Sequence, residues 1–306
     1  MKITVLLSSY NGEKYIEEQL NSIVAQTYDK ISILVRDDGS TDGTVQILKK
    51  YAEKGLIKWY SGENLGCAKS FWHLLCNCDE SDYYAFCDQD DVWDEDKLET
   101  AVKMLEKEDN NIPLLYFSDV RVTDAELNVI SNNMVETMPI SYPHSLIKNI
   151  APGCTYVFNN AARELMKKYD CEKYGIDIHD WTVYKIVACF GKAVFDNEAH
   201  MYYRQHGNNL IGATNIGAKK YGLGFILTKI GNLLIGKSTN IRVQGAIRME
   251  QCYGEMMSDI NLKATKLMAH YRENKRVKYE FIVSNLFKFK GIKYLYFKLK
   301  ILFNKV

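Results

Sequence analysis

Residues 83–93 read Tyr-Tyr-Ala-Phe-Cys-Asp-Gln-Asp-Asp-Val-Trp, an apolar run that leads directly into three carboxylates within four residues. The apolar part, 83–87, has the length and composition of a buried strand. Ionised carboxylates at such a strand end lose hydration and repel one another, and a bound divalent cation relieves both costs. Oxygen ligands suit Mg²⁺ and Mn²⁺. The stretch alone therefore indicates either a site for a metal and a phosphate or a solvated acidic turn.

The residues before this stretch alternate between strand and helix patterns. Near-continuous apolar runs predict strands at 3–9, 31–35 and 57–60, and helical spacing of apolar residues follows them at 13–25, 44–52 and 68–76. Alternating elements with short connections are typical of a parallel, doubly wound sheet. Polar clusters follow each of the four strands, whose carboxyl ends share one edge of such a sheet. We therefore predict a ligand site at that edge.

The middle third of the sequence has a different pattern. Short apolar runs predict strands at 114–117, 120–123, 154–159 and 193–195, and residues 132–149 are irregular. These strands indicate an antiparallel extension beside the parallel half. After residue 215 the pattern becomes helical and is interrupted by glycines. We predict two parts, a catalytic domain over 1–215 and a helical, basic C-terminal region over 216–306.

Charge and cysteine usage narrow the class of protein. The 306 residues carry a net charge of +1, which gives no indication of nucleic-acid binding. The charge is unevenly distributed, with nine Lys/Arg against one acid (Glu280) from Lys275 onward. Eight cysteines show no paired CxxC spacing, which favours free thiols in a reducing compartment. No apolar run approaches the length of a membrane span, and the first seven residues are typical of a strand. The expected location is the cytoplasm.

Asp37 and Asp38 follow the second predicted strand. Ionised carboxylates accept hydrogen bonds only, which suits the imide N–H of a pyrimidine or the hydroxyls of a ribose. The alternative is an Asp-Gly turn with helix capping by Ser40 or Asp42. No GxxxxGK[ST] loop is present in the sequence, which disfavours a kinase or an ATPase.

Four motifs together resemble the inverting glycosyltransferases of family two, which have the GT-A fold. The motifs are 8–12 (Ser-Ser-Tyr-Asn-Gly), 36–42 (Arg-Asp-Asp-Gly-Ser-Thr-Asp), 64–66 (Asn-Leu-Gly) and 88–91 (Asp-Gln-Asp-Asp). The resemblance covers residues 1–215. Asp-Gln-Asp-Asp-x-Trp, with the later segment 203–209, is similar to the bacterial rhamnosyltransferase-like branch. The fold implied is a Rossmann-like mixed α/β sheet with a parallel N-terminal half, followed here by a C-terminal helical extension.

The resemblance also implies an activity. A metal-dependent, inverting transfer would use Mn²⁺ or Mg²⁺ to move a sugar from dTDP-rhamnose or a UDP-hexose. The acceptor would be a hydroxyl of a surface glycan or a lipid-linked glycan. The alternatives are a nucleotide-sugar-binding subunit without activity and a sugar-phosphate nucleotidyltransferase, although the latter is expected to carry a glycine-rich basic loop near its N-terminus.

Site roles follow from the resemblance, position by position. It implies that the metal is held by Asp88, Asp90 and His206. The general base is expected to be Asp180, with Asp177 as the second choice, since an attacking hydroxyl must lose its proton. Gly153 is expected to allow close backbone approach on the acceptor side. Donor contacts are expected from Ser9, Tyr10, Asp37, Asp38, Lys69, Asp88, Asp90 and Arg204.

The C-terminal region lies outside the resemblance. It lacks the Gln-x-x-Arg-Trp motif of processive synthases, which favours one transfer per acceptor over polymerisation. Its lysines, among Phe and Tyr, suit an anionic membrane surface, and therefore a lipid-linked acceptor at the inner face of the cell membrane. A packed C-terminal helix with a solvated lysine face is the other interpretation of the same pattern.

Overall fold

The structure is a computed structural model that describes residues 1–132, 138–207 and 240–306. The described residues belong to two compact units, one drawn from 1–136 and 150–216 and the other from 137–149 and 217–306. The first part of the predicted C-terminal region and the last two residues of segment 203–209 lie outside the described residues.

The first unit is built on one mixed sheet. Its strands are β1 (Ile3–Ser9), β2 (Ile31–Asp37), β3 (Lys58–Ser61), β4 (Tyr83–Cys87), β5 (Val92–Trp93), β6 (Leu114–Thr123), β7 (Val129–Asn132), β8 (Val157–Asn159) and β9 (Lys192–Arg204). Their order in the sheet is β3-β2-β1-β4-β8-β6-β9-β5, and β7 pairs with β6.

Helices cover the sheet and form the second unit. In chain order they are α1 (Ile16–Val24), α2 (Thr44–Glu53), α3 (Cys67–Asn77), α4 (Lys97–Leu105), α5 (Tyr142–Ser145), α6 (Asn160–Met166), α7 (Cys171–Tyr174), α8 (His179–Phe190), α9 (Ile241–Tyr253), α10 (Asp259–His270), α11 (Lys275–Val283) and α12 (Ile292–Leu302). Short 3₁₀ turns occur at Gly153–Thr155 and Gly254–Met256.

The parallel half confirms the predicted doubly wound arrangement. β1 pairs in parallel with β2 and β4, and β2 pairs in parallel with β3. Every residue of β4 is buried, because helices cover both faces of a parallel sheet. The apolar run at 83–87 therefore forms a central strand, and the acidic residues begin where its pairing with β1 ends.

The other half of the sheet is antiparallel where it meets β4. β8 lies antiparallel to both β4 and β6, whereas β6 and β9 are parallel. The two predicted strands at 114–117 and 120–123 are one strand, β6, which continues through register shifts beside Ser118 and Asp119. The predicted strand at 193–195 is the start of β9, which extends to Arg204.

The second unit has an aromatic centre. Phe281 of α11 and Phe297 of α12 pack against each other and against Phe287, with ring centroids 4.7 to 6.2 Å apart. Tyr271 packs on Phe281 from the end of α10. Among residues 1–132, 138–207 and 240–306, no helix has the length and apolar character needed to cross a membrane.

Candidate active site

The carboxyl ends of β1, β2 and β4 meet at one edge of the sheet, as predicted. Ser9 is in register with Asp37, and Leu7 is in register with Cys87, directly before Asp88. The polar residues that follow these three strands therefore form a single rim, in which neighbouring strands lie about 5 Å apart.

Asp37, the last residue of β2, and Asp38, the residue after it, have different surroundings. Asp38 accepts hydrogen bonds from the backbone N–H groups of Leu65 and Gly66, each at 2.9 Å, and forms a buried ion pair with Arg36. Asp37 accepts from the Ser61 hydroxyl at 2.8 Å through Oδ2. Its Oδ1 is buried and has no hydrogen-bond partner within the described structure. Asp38 thus fixes the loop at 64–66, whereas Asp37 retains a buried oxygen, Oδ1, without a described hydrogen-bond partner.

The loop after β1 is braced by Gln89, a residue whose role the sequence analysis missed. The Gln89 amide accepts from the Tyr10 N–H at 2.8 Å and donates to the Tyr10 carbonyl at 3.0 Å. A Cβ on Gly12 would lie 2.2 Å from Gln89 Oε1, so a larger residue at position 12 would displace the Gln89 amide from Tyr10. The Tyr10 side chain is 48% exposed at the rim, and the Ser9 hydroxyl oxygen is buried without a described hydrogen-bond partner.

The acidic motif after β4 forms a dense cluster. Ligand atoms of Asp88, Asp91 and Cys154 all lie within 4.8 Å of one another. Burial raises the pKa of Asp88, and the charges of Asp90 and Asp180 raise it further. Burial also raises the pKa of Asp91 well above its usual range, and Asp90 and Asp88 add to that effect. Asp91 Oδ2 is buried with no described hydrogen-bond partner. The cluster is therefore short of positive charge.

His206 reaches this cluster from the residues after β9. Its Nε2 lies 2.8 Å from Asp90 Oδ2, and its ring stacks on Tyr15 with centroids 4.8 Å apart. Of the predicted metal set Asp88, Asp90 and His206, Asp90 and His206 are thus brought together, but the three do not form one of the described groups of three below, and their metal role stays a prediction. The described groups of three with ligand atoms within 4.8 Å of one another are Asp88/Asp91/Cys154 and a second set, Asp94/Asp96/His200.

Arg204 lies behind the acidic motif and is buried. Its Nε donates to the Asp90 carbonyl at 2.8 Å, and its two terminal nitrogens donate to the Ala125 carbonyl and to Glu18. Its backbone N–H donates to Asp91 Oδ1 at 3.0 Å. The guanidinium therefore fixes the acidic motif from within the protein, which differs from the predicted contact with a donor phosphate.

Asp180 is held at the first turn of α8. Its Oδ2 accepts from the Gly153 N–H at 2.9 Å and its Oδ1 accepts from the Trp181 N–H at 2.6 Å. A Cβ on Gly153 would lie 2.8 Å from the Asp180 Cβ, so the backbone passes close to this carboxylate, and the expected approach to an acceptor there stays a prediction. Because the Asp180 charge raises the pKa of Asp88, the two carboxylates belong to one electrostatic site. Asp177, the second choice for the base, is exposed.

His179 packs beside Asp180 and is buried in aromatic surroundings. Its ring stacks on Phe71 with centroids 4.2 Å apart and meets the edge of Phe86 at 5.2 Å. Burial lowers the pKa of His179 to about 3, so the imidazole is neutral at physiological pH. A neutral ring places no positive charge next to Asp180. Lys69, predicted to approach the donor, pairs at 3.0 Å with Glu172 of α7.

Lys97 is a second residue that the sequence analysis missed. It is fully buried, and its Nζ lies 3.8 Å from the centroid of the Trp93 ring, a cation–π distance. Burial lowers its pKa to about 8, while Cys154, Cys87 and Asp91 act in the opposite direction. The available signal was its position six residues after Asp91, at the first residue of α4, but the sequence around it does not reveal that this lysine turns inward.

Comparison with known proteins agrees with this geometry. A family model described as glycosyl transferase family 2 matches residues 4–166. The dTDP-rhamnosyl transferase RfbG of Shigella flexneri is 32% identical over 254 residues, which cover 76% of this chain and 86% of that protein.

Two solved structures share the fold at low sequence identity. The crystal structure of S. aureus TarS 1-349 in complex with UDP-GlcNAc is 17% identical, with a TM-score of 0.53, over 91% of this chain and 83% of that chain. The structure of GalNAc-T7 with UDP, GalNAc and Mn²⁺ is 15% identical, with a TM-score of 0.51, over 67% of this chain and 44% of that chain. These similarities confirm the predicted GT-A fold.

Proposed function

The chain belongs to glycosyltransferase family 2, and from that membership we propose a metal-dependent, inverting transfer of a sugar from a nucleotide diphosphate to a glycan hydroxyl. The first candidate donor is dTDP-rhamnose, because the relative at 32% identity is named a dTDP-rhamnosyl transferase. A UDP-hexose is the second. The observation that carries the proposal is that Gly153, whose N–H donates to Asp180, directly precedes Cys154, whose thiol lies within 4.8 Å of carboxylate oxygens of Asp88 and Asp91. In this proposal residues 1–215 are catalytic, and 216–306 contact the acceptor or a membrane.

We assign the base and ribose of the donor to the rim formed by Ser9, Tyr10 and Asp37. Asp37 Oδ1 and the Ser9 hydroxyl are buried and lack described hydrogen-bond partners, and such groups gain most from a polar ligand. Asp38, one of the two aspartates predicted for this role, already accepts from two backbone N–H groups and pairs with Arg36. Asp38 is therefore assigned to shaping the rim, and Asp37 to reading the nucleotide.

The donor set at the end of β4 fits a hard divalent cation. It offers carboxylate oxygens from Asp88 and Asp90, a buried Asp91 oxygen without a described partner, and the His206 imidazole beside Asp90. Carboxylate and imidazole ligands suit Mn²⁺, and carboxylates suit Mg²⁺. We propose that Asp88, Asp90 and His206 would hold the ion. When bound, it would neutralise the diphosphate of the donor and favour its departure.

Asp180 is proposed as the general base. The acceptor hydroxyl transfers its proton to a carboxylate oxygen of Asp180 as its own oxygen bonds to the anomeric carbon. The bond from that carbon to the diphosphate oxygen breaks on the opposite face, which inverts the configuration. Hydrogen bonds from Gly153 and Trp181 fix the orientation of the carboxylate, and Arg204 is proposed to hold the acidic motif in register with it.

The test compares Asp180→Asn with Asp177→Asn, a matched change at an exposed position three residues away. Asp180→Asn should bind dTDP-rhamnose in calorimetry about as tightly as the wild type and lose turnover at least about hundredfold. Asp177→Asn should retain turnover. The reverse pattern would assign the base to Asp177, and near-normal turnover in both variants would place it elsewhere.

Metal dependence is tested separately, by measuring nucleotide diphosphate release before and after chelation and after adding back Mn²⁺ or Mg²⁺. Activity should disappear with chelator and return with either ion. Undiminished activity in chelator would remove the metal role from Asp88, Asp90 and His206. A sugar-phosphate nucleotidyltransferase is disfavoured by family membership, and a non-catalytic subunit would show donor binding with no turnover under any condition.

We further propose that the acceptor is a surface-glycan precursor, free or linked to a lipid, and that the enzyme works in the cytoplasm at the inner face of the cell membrane. This proposal is supported by the relative named a rhamnosyl transferase and by the basic C-terminal helices. Transfer to detergent-solubilised lipid extracts, compared with transfer to free oligosaccharides, tests which kind of acceptor is used.

A further inference from the structure

Gln89 lies in the chain between Asp88 and Asp90, two of the three residues proposed to hold the metal. Its side chain contacts the loop after β1 instead. Oε1 accepts from the Tyr10 N–H at 2.8 Å, and Nε2 donates to the Tyr10 carbonyl at 3.0 Å. A glutamine amide carries one acceptor and two donors, so a single side chain holds both backbone hydrogen-bonding groups of Tyr10.

The conformation of the loop around Tyr10 depends on such contacts. Tyr10 is 48% exposed, so packing does little to hold it. Asn11 follows with a φ of 48°, in the left-handed region, which persists only where surrounding contacts stabilise it. The Asn11 N–H donates to the Ser40 hydroxyl at 2.9 Å. Gln89 therefore holds one end of this turn, and the loop after β2 holds the other.

Segment 88–91 is held on its other side by Arg204, whose Nε donates to the Asp90 carbonyl at 2.8 Å. Hydrogen bonds thus attach the segment to a buried guanidinium on one side and, through Gln89, to the rim on the other. Without a cation the carboxylates of the segment repel one another, and a bound divalent cation would remove that repulsion. Because Gln89 lies between two proposed metal ligands, a change in their spacing moves its backbone and, through the amide, Tyr10.

We propose that Gln89 is a positioning residue that couples metal binding to nucleotide binding. With a cation on Asp88 and Asp90, the Gln89 amide holds Tyr10, and with it the rim, in the arrangement that binds the base and ribose. A site already held in its binding arrangement loses less free energy on ordering, so it binds more tightly. This inference rests on the proposed function, because it states how two parts of the proposed donor site act on each other.

The experiment uses nucleosides, because they contain the base and the sugar ring but no phosphate that could contact the ion directly. Affinities of the full chain for thymidine and uridine are measured by calorimetry with and without saturating Mn²⁺. In the wild type Mn²⁺ should tighten binding of the preferred nucleoside about fivefold or more, as is typical of coupled sites, and by reciprocity the nucleoside should tighten Mn²⁺ binding by the same factor. In Gln89→Leu both effects should fall below about 1.5-fold.

A second variant breaks the same contact without changing Gln89. The Cβ of Gly12→Ala would lie 2.2 Å from Gln89 Oε1, so this substitution should abolish the Mn²⁺ effect as well. The double variant Gly12→Ala/Gln89→Leu should lose no more of the effect than either single variant, because both remove one contact. The matched control is Gln26→Leu, which removes an amide that makes three hydrogen bonds to backbone groups outside the rim. It should lower stability and keep the Mn²⁺ effect.

Several outcomes would overturn the inference. They are equal nucleoside affinity with and without Mn²⁺ in the wild type, no nucleoside binding in either condition, and a wild-type Mn²⁺ effect in Gln89→Leu or Gly12→Ala. Loss of the effect in Gln26→Leu to the same extent would also overturn it, by showing that any loss of structure removes the coupling.

Turnover separates this inference from the proposed function. Coupled binding of Mn²⁺ and nucleoside without release of nucleotide diphosphate from dTDP-rhamnose or a UDP-hexose would keep the role of Gln89 and remove the proposed transfer. Turnover of a donor together with nucleoside binding that does not respond to Mn²⁺ would do the opposite.

Discussion

Gly153→Ala tests whether the position of the Asp180 carboxylate matters, because it moves this group without removing it. The substitution removes no ionisable group. It adds one methyl group where the backbone passes the Asp180 carboxylate. That Cβ would lie 2.8 Å from Asp180 Cβ and 3.0 Å from His179 Nε2. Carbon atoms in contact prefer separations of about 3.5 Å or more, so Asp180 must move by about 0.7 Å.

The size of this shift determines how much kcat should fall. Misplacing a reacting group by about 1 Å can cost about hundredfold in rate, so a shift of about 0.7 Å should lower kcat by about ten- to hundredfold. The extra methyl in a packed site should also cost about 1–2 kcal/mol of the free energy of unfolding. Affinity for the nucleotide should be unchanged, because Gly153 and Asp180 are on the acceptor side of the site in this proposal.

The assay is nucleotide diphosphate release from dTDP-rhamnose at saturating donor, with donor affinity measured by calorimetry and stability by urea denaturation. The matched control is Gly254→Ala, where the added Cβ meets Glu250 and Leu262 at ordinary contact distances of 3.7 and 3.8 Å. The reasoning is refuted if Gly153→Ala keeps kcat within about twofold of wild type while showing the expected loss of stability. In that case Asp180 can move without consequence and is not the base.

Two further predictions concern buried groups beside the site. For His179 the folded pKa of about 3 lies below the ordinary value of 6.5, so the unfolded chain binds the extra proton and stability falls as pH drops through that range. Between pH 7 and 5 the free energy of unfolding should fall by about 2 kcal/mol, because pH 5 lies about 1.5 pH units below 6.5 and each unit costs about 1.36 kcal/mol. His179→Phe should remove this part of the pH dependence, measured by urea denaturation of both proteins at each pH. An unchanged dependence would show that His179 is not kept neutral in the fold. Lys97→Met should keep the free energy of unfolding at or above the wild-type value, because burial lowers the pKa of Lys97 to about 8 and its Nζ has no described hydrogen-bond partner, so the fold disfavours this charge; a loss of about 3 kcal/mol in urea denaturation would contradict this.

Most of the parallel half could be predicted from local pattern. Apolar runs and helical spacing placed β1 to β4 within one or two residues, because a strand covered on both faces and an amphipathic helix each leave a periodic trace. The acidic motif and the rim follow from strand ends in such a sheet. These features depend on residues that are close to one another in the sequence, so a single sequence is enough to predict them.

The features that were missed depend on contacts between distant residues. Gln89 braces Tyr10 across 79 positions, and Arg204 reaches Asp90 across 114, so neither role has a local signature. Arg204 had the right composition for a phosphate contact, but its donors are satisfied by the Asp90 and Ala125 carbonyls and Glu18. The continuity of β6 through Ser118 and Asp119 was hidden because polar residues interrupt the apolar run while the strand pairing continues.

The long reach of Arg204 has a consequence for how the chain folds. Its backbone N–H donates to Asp91 Oδ1, 113 residues away, and β6 pairs in parallel with β9 across about 80 residues, from Leu114 with Lys192 to Thr123 with Arg204. Contacts of such sequence separation form late, because a long loop must close first. During synthesis the acidic residues after β4 therefore emerge well before Arg204, whose backbone N–H donates to Asp91. A nascent chain that stops short of residue 204 can complete the four-stranded parallel half, yet it carries clustered carboxylates without that N–H. The order of synthesis thus makes the contact between Arg204 and the acidic motif one of the last in the first unit to form.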